Sequence, residues 1–479
     1  MKTNVQQKSN KIAPICRSSA AHFAFWGVAC PVPGTSLRGV RSRGAWGASV
    51  SGAGHFAPRC SFPGVRYSQR LKTHDHKKFC TGKRNLARPS QLRATMMIMT
   101  NSGANSHQLF PESADTPSVP RYAQAPRAQT LPQYDLFTRA MAVGSRAMTS
   151  LPAPLLKLAG TRTNRDGNVL DSDIALTLKV LGIIHSKQYW DVTIDKARQM
   201  IDDEAFMGAG NTLPVGSVTE HDVRGVRVRH YRPQGAESPD RAQATVVYFH
   251  GGGWTLGSLD SHDSTCRWIC NRAEVAVLSV DYRLAPEHRF PAGFDDAYAV
   301  VDAAMSTGEI AGVDSQRIAV AGDSAGGNFA AAVCLRRRDE KKPQPALQVL
   351  IVPVTNLAQP RSESYHEFSE GLFLTSEQMD WYEKQYLGPD GDRQNPYVSP
   401  LLAADVAGVA PAYVAVAGFD PLRDEGEAYA RRLAEHGVPV TLRRHAGLVH
   451  PFANSTGIWS GARRAMDEAV GAIRFALQV

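Results

Sequence analysis

Short, uninterrupted apolar runs alternate with helical patterns along most of the chain. The runs predict buried strands at residues 244–249, 275–280, 317–321, 412–417 and 438–442. Strands that are apolar on both faces are typical of parallel sheets, which helices cover on either side. The pattern therefore predicts an α/β fold whose central sheet is mostly parallel.

Helices are predicted where apolar residues recur every three to four positions. The Ala-rich segment 325–337 follows one of the strands directly, and residues 134–207 predict two or three further helices. Residues 217–232 predict an antiparallel hairpin that opens the sheet. Near the end of the chain, one apolar helical stripe is formed by Ala462, Met466, Ala469, Ile473 and Leu477.

The turn between strand 317–321 and the Ala-rich helix has the sequence GDSAGG and carries the first candidate for chemistry. Ser324 stands at its apex, and Gly322 and Gly326 remove side chains where the chain would otherwise collide with itself. A serine held in such a strained turn faces the carboxyl edge of the sheet, with the positive end of a helix beneath it. We therefore predict that Ser324 is a nucleophile; a tight glycine turn with an inert serine is the alternative.

The strand at 244–249 ends in the sequence HGGGW, which is suited to holding a negatively charged oxygen. Consecutive glycines leave backbone N–H groups free to point at an oxyanion, and each such donor contributes about 3–4 kcal/mol to stabilising the transition state. The predicted donors are the N–H groups of Gly252 and Gly253, together with that of Ala325. The alternative is a flexible loop without a chemical role.

A nucleophilic serine needs a base, and the base needs an acid that orients it. Asp420 and His450 each follow the end of a predicted strand, at the edge where α/β proteins place their sites. Asp424 and His445 are rivals for the two roles. Spacing favours Asp420, which comes directly off its strand, and His450, whose loop has the length to return over Ser324.

Five motifs occur in a fixed order along the chain: HGGGW at 250–254, DYRLAPE at 281–287, GDSAGG at 322–327, DPLRDEG at 420–426 and HPF at 450–452. In this order they resemble the hormone-sensitive-lipase-like esterases, the bacterial family IV of lipolytic enzymes within the α/β-hydrolase superfamily. The resemblance covers roughly residues 130–479. It departs from the family at one position, where Pro451 replaces the usual glycine and should stiffen the loop.

The resemblance implies a sheet of eight mostly parallel strands, flanked by helices and covered by a helical cap from about 134–207 and 362–387. It implies that Asp420 is the orienting acid and His450 the base, and that no metal or organic cofactor is needed. Trp254 is a candidate for lining the substrate pocket, with a packing role as the alternative. The charged residues of the DYRLAPE segment are more typical of structural ion pairs than of chemistry.

Positive charge is concentrated at the start of the chain. Residues 1–95 hold seventeen Lys and Arg against the single acid Asp75, a net charge of +16, whereas the whole chain carries +9, which leaves −7 for residues 96–479. We expect a basic disordered extension at 1–95, a linker at 96–130 and the hydrolase domain at 131–479. Three interpretations of this extension are open. The first is an upstream region outside the native protein, whose start would then be Met96, Met97 or Met99. The second is a targeting peptide, and the third is a basic arm that binds nucleic acid.

The net negative charge of residues 96–479 argues against nucleic-acid binding by the folded part of the chain. The chain has no run of eighteen apolar residues, so no stable membrane insertion is expected. The cysteines are irregularly spaced, and no two of them form a C-x-x-C pair. This pattern indicates a reducing compartment, so we expect a cytoplasmic protein.

These features favour a serine carboxylesterase that acts on small-molecule esters with short to medium acyl chains. An amidase or deacetylase with the same triad is the nearest alternative. A ligand receptor on a hydrolase fold is a third hypothesis. Such a receptor should lack part of the triad, whereas Ser324, Asp420 and His450 are all present here. The family includes monomers and dimers, so a homodimer stays open.

Overall fold

The computed structural model describes residues 127–128, 134–183, 187–238 and 240–479. The predicted basic extension at 1–95 lies outside the described residues, and so does the predicted linker at 96–130 apart from its short strand at 127–128.

A nine-stranded sheet forms the centre of the described chain, in the order β1-β2-β3-β5-β4-β6-β7-β8-β9. Strands β1 to β3 and the β3–β5 pair are antiparallel, and all pairs from β5 through β4 to β9 are parallel. The predicted mostly parallel sheet and its opening hairpin are confirmed, and a two-residue edge strand is added to the eight expected. The strands are β1 Arg127–Ala128, β2 Ser217–Val223, β3 Val226–Arg232, β4 Gln243–Phe249, β5 Ala276–Val280, β6 Val313–Asp323, β7 Leu347–Ile351, β8 Ala412–Phe419 and β9 Val440–Val449.

Helices cover both faces of the sheet because alternate strand residues point to opposite sides. Val247 and Phe249 of β4 pack in one core layer with the helices at 292–304, 325–339 and 423–435, whereas Val246 and Tyr248 pack with the helices at 263–273 and 460–477. The helices are α1 Leu136–Thr149, α2 Ala153–Leu156, α3 Ser172–Ile183, α4 Ile194–Gly208, α5 Asp263–Ala273, α6 Ala292–Ala304, α7 Ala325–Asp339, α8 Glu363–Glu367, α9 Ser376–Leu387, α10 Arg423–Glu435 and α11 Ser460–Leu477.

Helices occupy both segments that were predicted to form a cap. Residues 134–207 contain the helices α1 to α3 and nearly all of α4, more than the two or three expected, and residues 362–387 contain α8 and α9. Among the helices of the described residues, none is both long and apolar enough to cross a bilayer.

The last strand is longer than predicted. We expected it to end at Leu442 and to be followed by a loop that carries both His445 and His450. Instead β9 continues to Val449 and pairs with β8 along its length, with a register shift after Ala417. The prediction was wrong because residues 441–444 are polar or exposed at the sheet edge, where backbone pairing sustains a strand without an apolar run. His445 therefore lies within the strand.

Candidate active site

The turn from β6 into α7 forces Ser324 into a conformation that side chains rarely adopt. Its φ is 55° and its ψ is −118°. A Cβ atom on Gly322 would collide with the backbone of Gly326, and one on Gly326 would collide with the carbonyl of Phe249. The two glycines therefore permit the close approach that places Ser324 at the carboxyl end of the sheet.

The glycine loop after β4 also depends on its missing side chains. Gly252 and Gly253 have φ values of 112° and 60°, and a Cβ on Gly253 would collide with the ring of Tyr382. Among the described residues, no group accepts a hydrogen bond from the N–H of Gly252 or Gly253. Ala325 begins α7, and the first N–H groups of a helix have no partner within it. All three predicted donors are thus unused by the fold.

Asp420 and His450 are brought together by the ends of β8 and β9. Asp420 is fully buried, and its Oδ2 lies 2.9 Å from Nδ1 of His450. Its other oxygen accepts a hydrogen bond from the N–H of Leu422 at 2.9 Å, which fixes the carboxylate. An Nδ1–H that donates to a carboxylate leaves Nε2 of the imidazole free to accept a proton.

The two rivals have other partners. Asp424 accepts a hydrogen bond from the N–H of Ser364 at 2.9 Å and pairs with Arg423 at 2.8 Å. His445 packs edge-on against Phe452, with ring centroids 5.5 Å apart, and burial lowers its pKa. None of these contacts joins Asp424 or His445 to Ser324, Asp420 or His450.

Ser324 itself is nearly buried and is anchored by its backbone, since its N–H donates to the carbonyl of Ile351 at 2.9 Å. Within the described residues, no hydrogen bond joins Ser324 Oγ to His450. Burial raises the pKa of Asp323, the residue before Ser324, but His262, Tyr248 and, more weakly, His450 outweigh burial and hold that pKa below its usual value. A hydrogen bond between a nucleophile and its base is often long before substrate binds.

A buried polar cluster links the three loops of the site and was missed by the sequence analysis. Asp323 accepts a hydrogen bond from the hydroxyl of Tyr248 at 2.6 Å and lies 3.1 Å from Nε2 of His262. The same nitrogen lies 3.2 Å from the N–H of Gly251 and 2.9 Å from the amide of Asn454. His262 thereby contacts the glycine loop, the serine turn and the histidine loop, and no spacing in the sequence distinguishes it from a surface histidine.

Trp254 lies in the core of the protein. It is 1% exposed and stacks on Tyr386 with ring centroids 4.2 Å apart and an interplanar angle of 5°. This placement matches the packing alternative, and the proposed role in lining the pocket gains no contact that supports it.

The charged residues of the DYRLAPE segment form structural ion pairs, as expected. Each pairs with a residue from another element: Asp281 with Arg227 at 2.8 Å, Arg283 with Asp296 at 2.8 Å and Glu287 with Arg198 at 2.7 Å. Among the described residues, no group of three or more His, Cys, Asp and Glu side chains is placed to hold a metal ion.

Known proteins share this fold and much of this sequence. Residues 246–454 match the family described as the alpha/beta hydrolase fold. A carboxylic ester hydrolase of Mycobacterium tuberculosis, LipN, is 41% identical over 345 residues, which cover 69% of this chain and 90% of that protein. An ethyl acetate hydrolase of Pseudomonas putida is 37% identical, over 58% of this chain and 89% of its own.

Solved structures agree with these relatives. A hyperthermophilic esterase from Pyrobaculum calidifontis superimposes with a TM-score of 0.60 at 37% identity and covers 64% of this chain and 98% of its own. An α/β hydrolase enzyme from the metagenome of Lake Arreo, Spain, gives 0.62 at 37% identity, over 65% and 99% of the two chains. The chain therefore belongs to the hormone-sensitive-lipase-like carboxylic ester hydrolases of the α/β-hydrolase superfamily.

Proposed function

We propose that the chain hydrolyses carboxylic esters through a triad of Ser324, His450 and Asp420. The observation that carries this proposal is the 2.9 Å contact between the buried carboxylate of Asp420 and Nδ1 of His450, at the sheet edge where the strained turn presents Ser324. A fully buried carboxylate is costly to keep unless it is paired, so a histidine in this place is held in one orientation.

The proposed reaction has two halves. Nε2 of His450 takes the proton of Ser324 as its Oγ attacks the ester carbonyl, and the N–H groups of Gly252, Gly253 and Ala325 hold the oxyanion. His450 then protonates the alcohol as it leaves. Water, deprotonated by the same imidazole, attacks the acyl-enzyme and releases the acid. Asp420 keeps the ring in the required tautomer throughout.

The proposed substrates are small, uncharged esters with short to medium acyl chains. The relative named as an ethyl acetate hydrolase, which shares 37% identity, supports the short end of this range. The aromatic side chain of Tyr382, which packs directly on the oxyanion loop at Gly253, limits the space above that loop. A cytoplasmic location is proposed from the buried free thiols of Cys266, Cys270 and Cys334.

Hydrolysis of a p-nitrophenyl acyl series, from acetate to palmitate, tests this function. Wild type and Ser324→Ala are measured side by side, with the fold of both checked by circular dichroism. We expect activity that peaks at short chains and a loss of roughly 10⁴-fold or more in the variant. Activity that survives in Ser324→Ala would contradict the mechanism, and wild type inert on every chain would contradict the substrate class.

A further inference from the structure

One arginine of helix α4 joins this helix to the chain just beyond the glycine loop. The guanidinium of Arg198 donates from Nε to the carbonyl of Thr255 at 3.0 Å and from Nη2 to the carbonyl of Ala285 at 3.1 Å. Nη1 and Nη2 also donate to the two carboxylate oxygens of Glu287, at 3.0 and 2.7 Å. This bidentate pairing fixes the plane of the guanidinium, so Nε is held in place against Thr255.

Two peptide groups connect this contact to the glycine loop. The carbonyl of Thr255 and the N–H of Leu256 belong to one planar trans peptide group and point in opposite directions. The N–H of Leu256 donates to the carbonyl of Gly252 at 2.8 Å, and the N–H of Thr255 donates to the same oxygen at 3.2 Å. The carbonyl of Gly252 in turn shares its peptide group with the N–H of Gly253, one of the proposed oxyanion donors.

The guanidinium and the two peptide groups form one hydrogen-bonded chain, which begins at a positive charge and ends at the N–H of Gly253. In such a chain each hydrogen bond polarises the next, and the effect is larger where water is excluded. Thr255 and Leu256 are both fully buried. The chain therefore orients the N–H of Gly253 and increases its partial positive charge, and both changes strengthen its hydrogen bond to an oxyanion.

The glycine loop needs such support because its own residues do not fix it. Gly252 and Gly253 have no side chain to restrict their backbone, so the direction of their peptide groups depends on the bonds that these groups form. The carbonyl of Gly252 is bonded as described, and the carbonyl of the next residue but one, Trp254, accepts a hydrogen bond from the N–H of Ala285 at 2.9 Å. Arg198 binds the segments on both sides, at Thr255 and at Ala285.

We propose that Arg198 is a positioning residue for the oxyanion hole, which holds and polarises the N–H of Gly253 through the two intervening peptide groups. The inference rests on the proposed function and adds to it a charged residue from helix α4. An oxyanion forms only as the ester carbonyl is attacked, so the effect of Arg198 falls on the chemical step and not on binding of the intact ester. A residue that only anchored the helix would instead alter substrate binding or stability.

A second contact between α4 and the same loop supplies a matched control. One helical turn after Arg198, the carboxylate of Asp202 accepts a hydrogen bond from the hydroxyl of Ser258 at 2.7 Å. This bond anchors the helix but does not involve the peptide groups that end at Gly253. Arg198→Met removes the charge and the donors while keeping an unbranched apolar side chain, and Asp202→Ala removes only the second contact.

Steady-state kinetics on p-nitrophenyl butyrate separates positioning from anchoring. We expect Arg198→Met to lower kcat by roughly tenfold while KM stays within about twofold of wild type, because only the transition state carries the oxyanion. Asp202→Ala should change kcat by less than about threefold, since the chain to Gly253 is intact in this variant.

Two inhibitors give a second measurement, which does not depend on the fraction of the variant that is folded. A pentyl trifluoromethyl ketone forms a tetrahedral oxyanion adduct with an activated serine, whereas the alcohol obtained by reducing it cannot. In Arg198→Met the inhibition constant of the ketone should rise roughly tenfold, and that of the alcohol should stay within about twofold of wild type.

An unchanged kcat together with an unchanged ratio of the two inhibition constants in Arg198→Met would overturn the inference. A rise in KM alone would also overturn it, because Arg198 would then serve substrate binding, and so would an equal loss of kcat in Asp202→Ala. Wild type that hydrolyses no p-nitrophenyl ester would instead overturn the proposed function, so the two failures are distinguishable.

Discussion

Asp420 and Asp424 lie in one short segment but contact different partners. Asp420 is buried against His450, whereas Asp424 binds the backbone of Ser364. Motif order predicted Asp420 as the orienting acid, and the structure places its carboxylate against His450. No sequence pattern could identify His262, since its contacts are with residues that are distant in the chain and meet only in the folded protein.

At the scale of single residues, we predict that His450, and not His445, is the base. His450→Ala should lower kcat by roughly 10³-fold or more, because Ser324 loses its proton acceptor. His445→Ala is the matched control and should change kcat by less than about tenfold, since His445 lies in β9 and packs on Phe452. Steady-state kinetics on p-nitrophenyl butyrate measures both; a larger loss in His445→Ala would reverse the assignment.

At the scale of elements, four buried strands and the opening hairpin were predictable, whereas the buried strand β7 was not predicted and the polar part of β9 was missed. Three of the five predicted strands were found within two residues of their predicted bounds, because burial on both faces leaves a clear pattern, and β6 begins four residues before its predicted start. Strand β9 extended seven residues past its predicted end at Leu442, since an edge strand with polar side chains is held by backbone pairing to β8.

Helix α10 is tied to the loop after β7 by a buried carboxyl group. Glu425 accepts hydrogen bonds from the N–H groups of Thr355 at 2.7 Å and Asn356 at 3.1 Å. Burial raises the pKa of Glu425 to about 8, although these two hydrogen bonds oppose the rise. The folded protein therefore holds a proton that the unfolded chain releases near pH 4.3.

This difference predicts a pH-dependent loss of stability. Because the folded state binds the extra proton, the free energy of unfolding should fall by up to about 1.4 kcal/mol per pH unit between about pH 4.5 and 8. Glu425→Gln keeps an acceptor oxygen but cannot ionise, so it should gain stability relative to wild type as the pH rises. Urea unfolding at pH 5 and pH 8 measures the gap; parallel changes in the two proteins would contradict the account.

For the molecule as a whole, charge and chemistry occupy different parts of the chain. The net charge of +16 belongs to residues 1–95, whereas every contact described at the candidate site lies within residues 134–479. The overall basic character thus carries no information about the substrate. That the chain has such an extension was evident from composition, but composition cannot decide what it does.

Removing residues 1–95 tests this separation. The shortened chain, which begins at Met96, should keep kcat/KM on p-nitrophenyl butyrate within about twofold of the full chain, and its thermal unfolding midpoint should be unchanged. The reason is that the residues described at the site find their partners within the remaining chain. A large loss of either activity or stability would show that the basic segment belongs to the folded enzyme.

In the proposed mechanism Ser324 is the nucleophile, and the buried Asp420–His450 pair activates it. The most direct measurement is the intact mass and peptide map of the protein after reaction with a p-nitrophenyl alkylphosphonate, which traps an activated serine. We expect one phosphonyl group per chain, on Ser324, with one equivalent of p-nitrophenol released and no labelling of His450→Ala on the same timescale. Labelling of another residue, or equally fast labelling without His450, would contradict this mechanism.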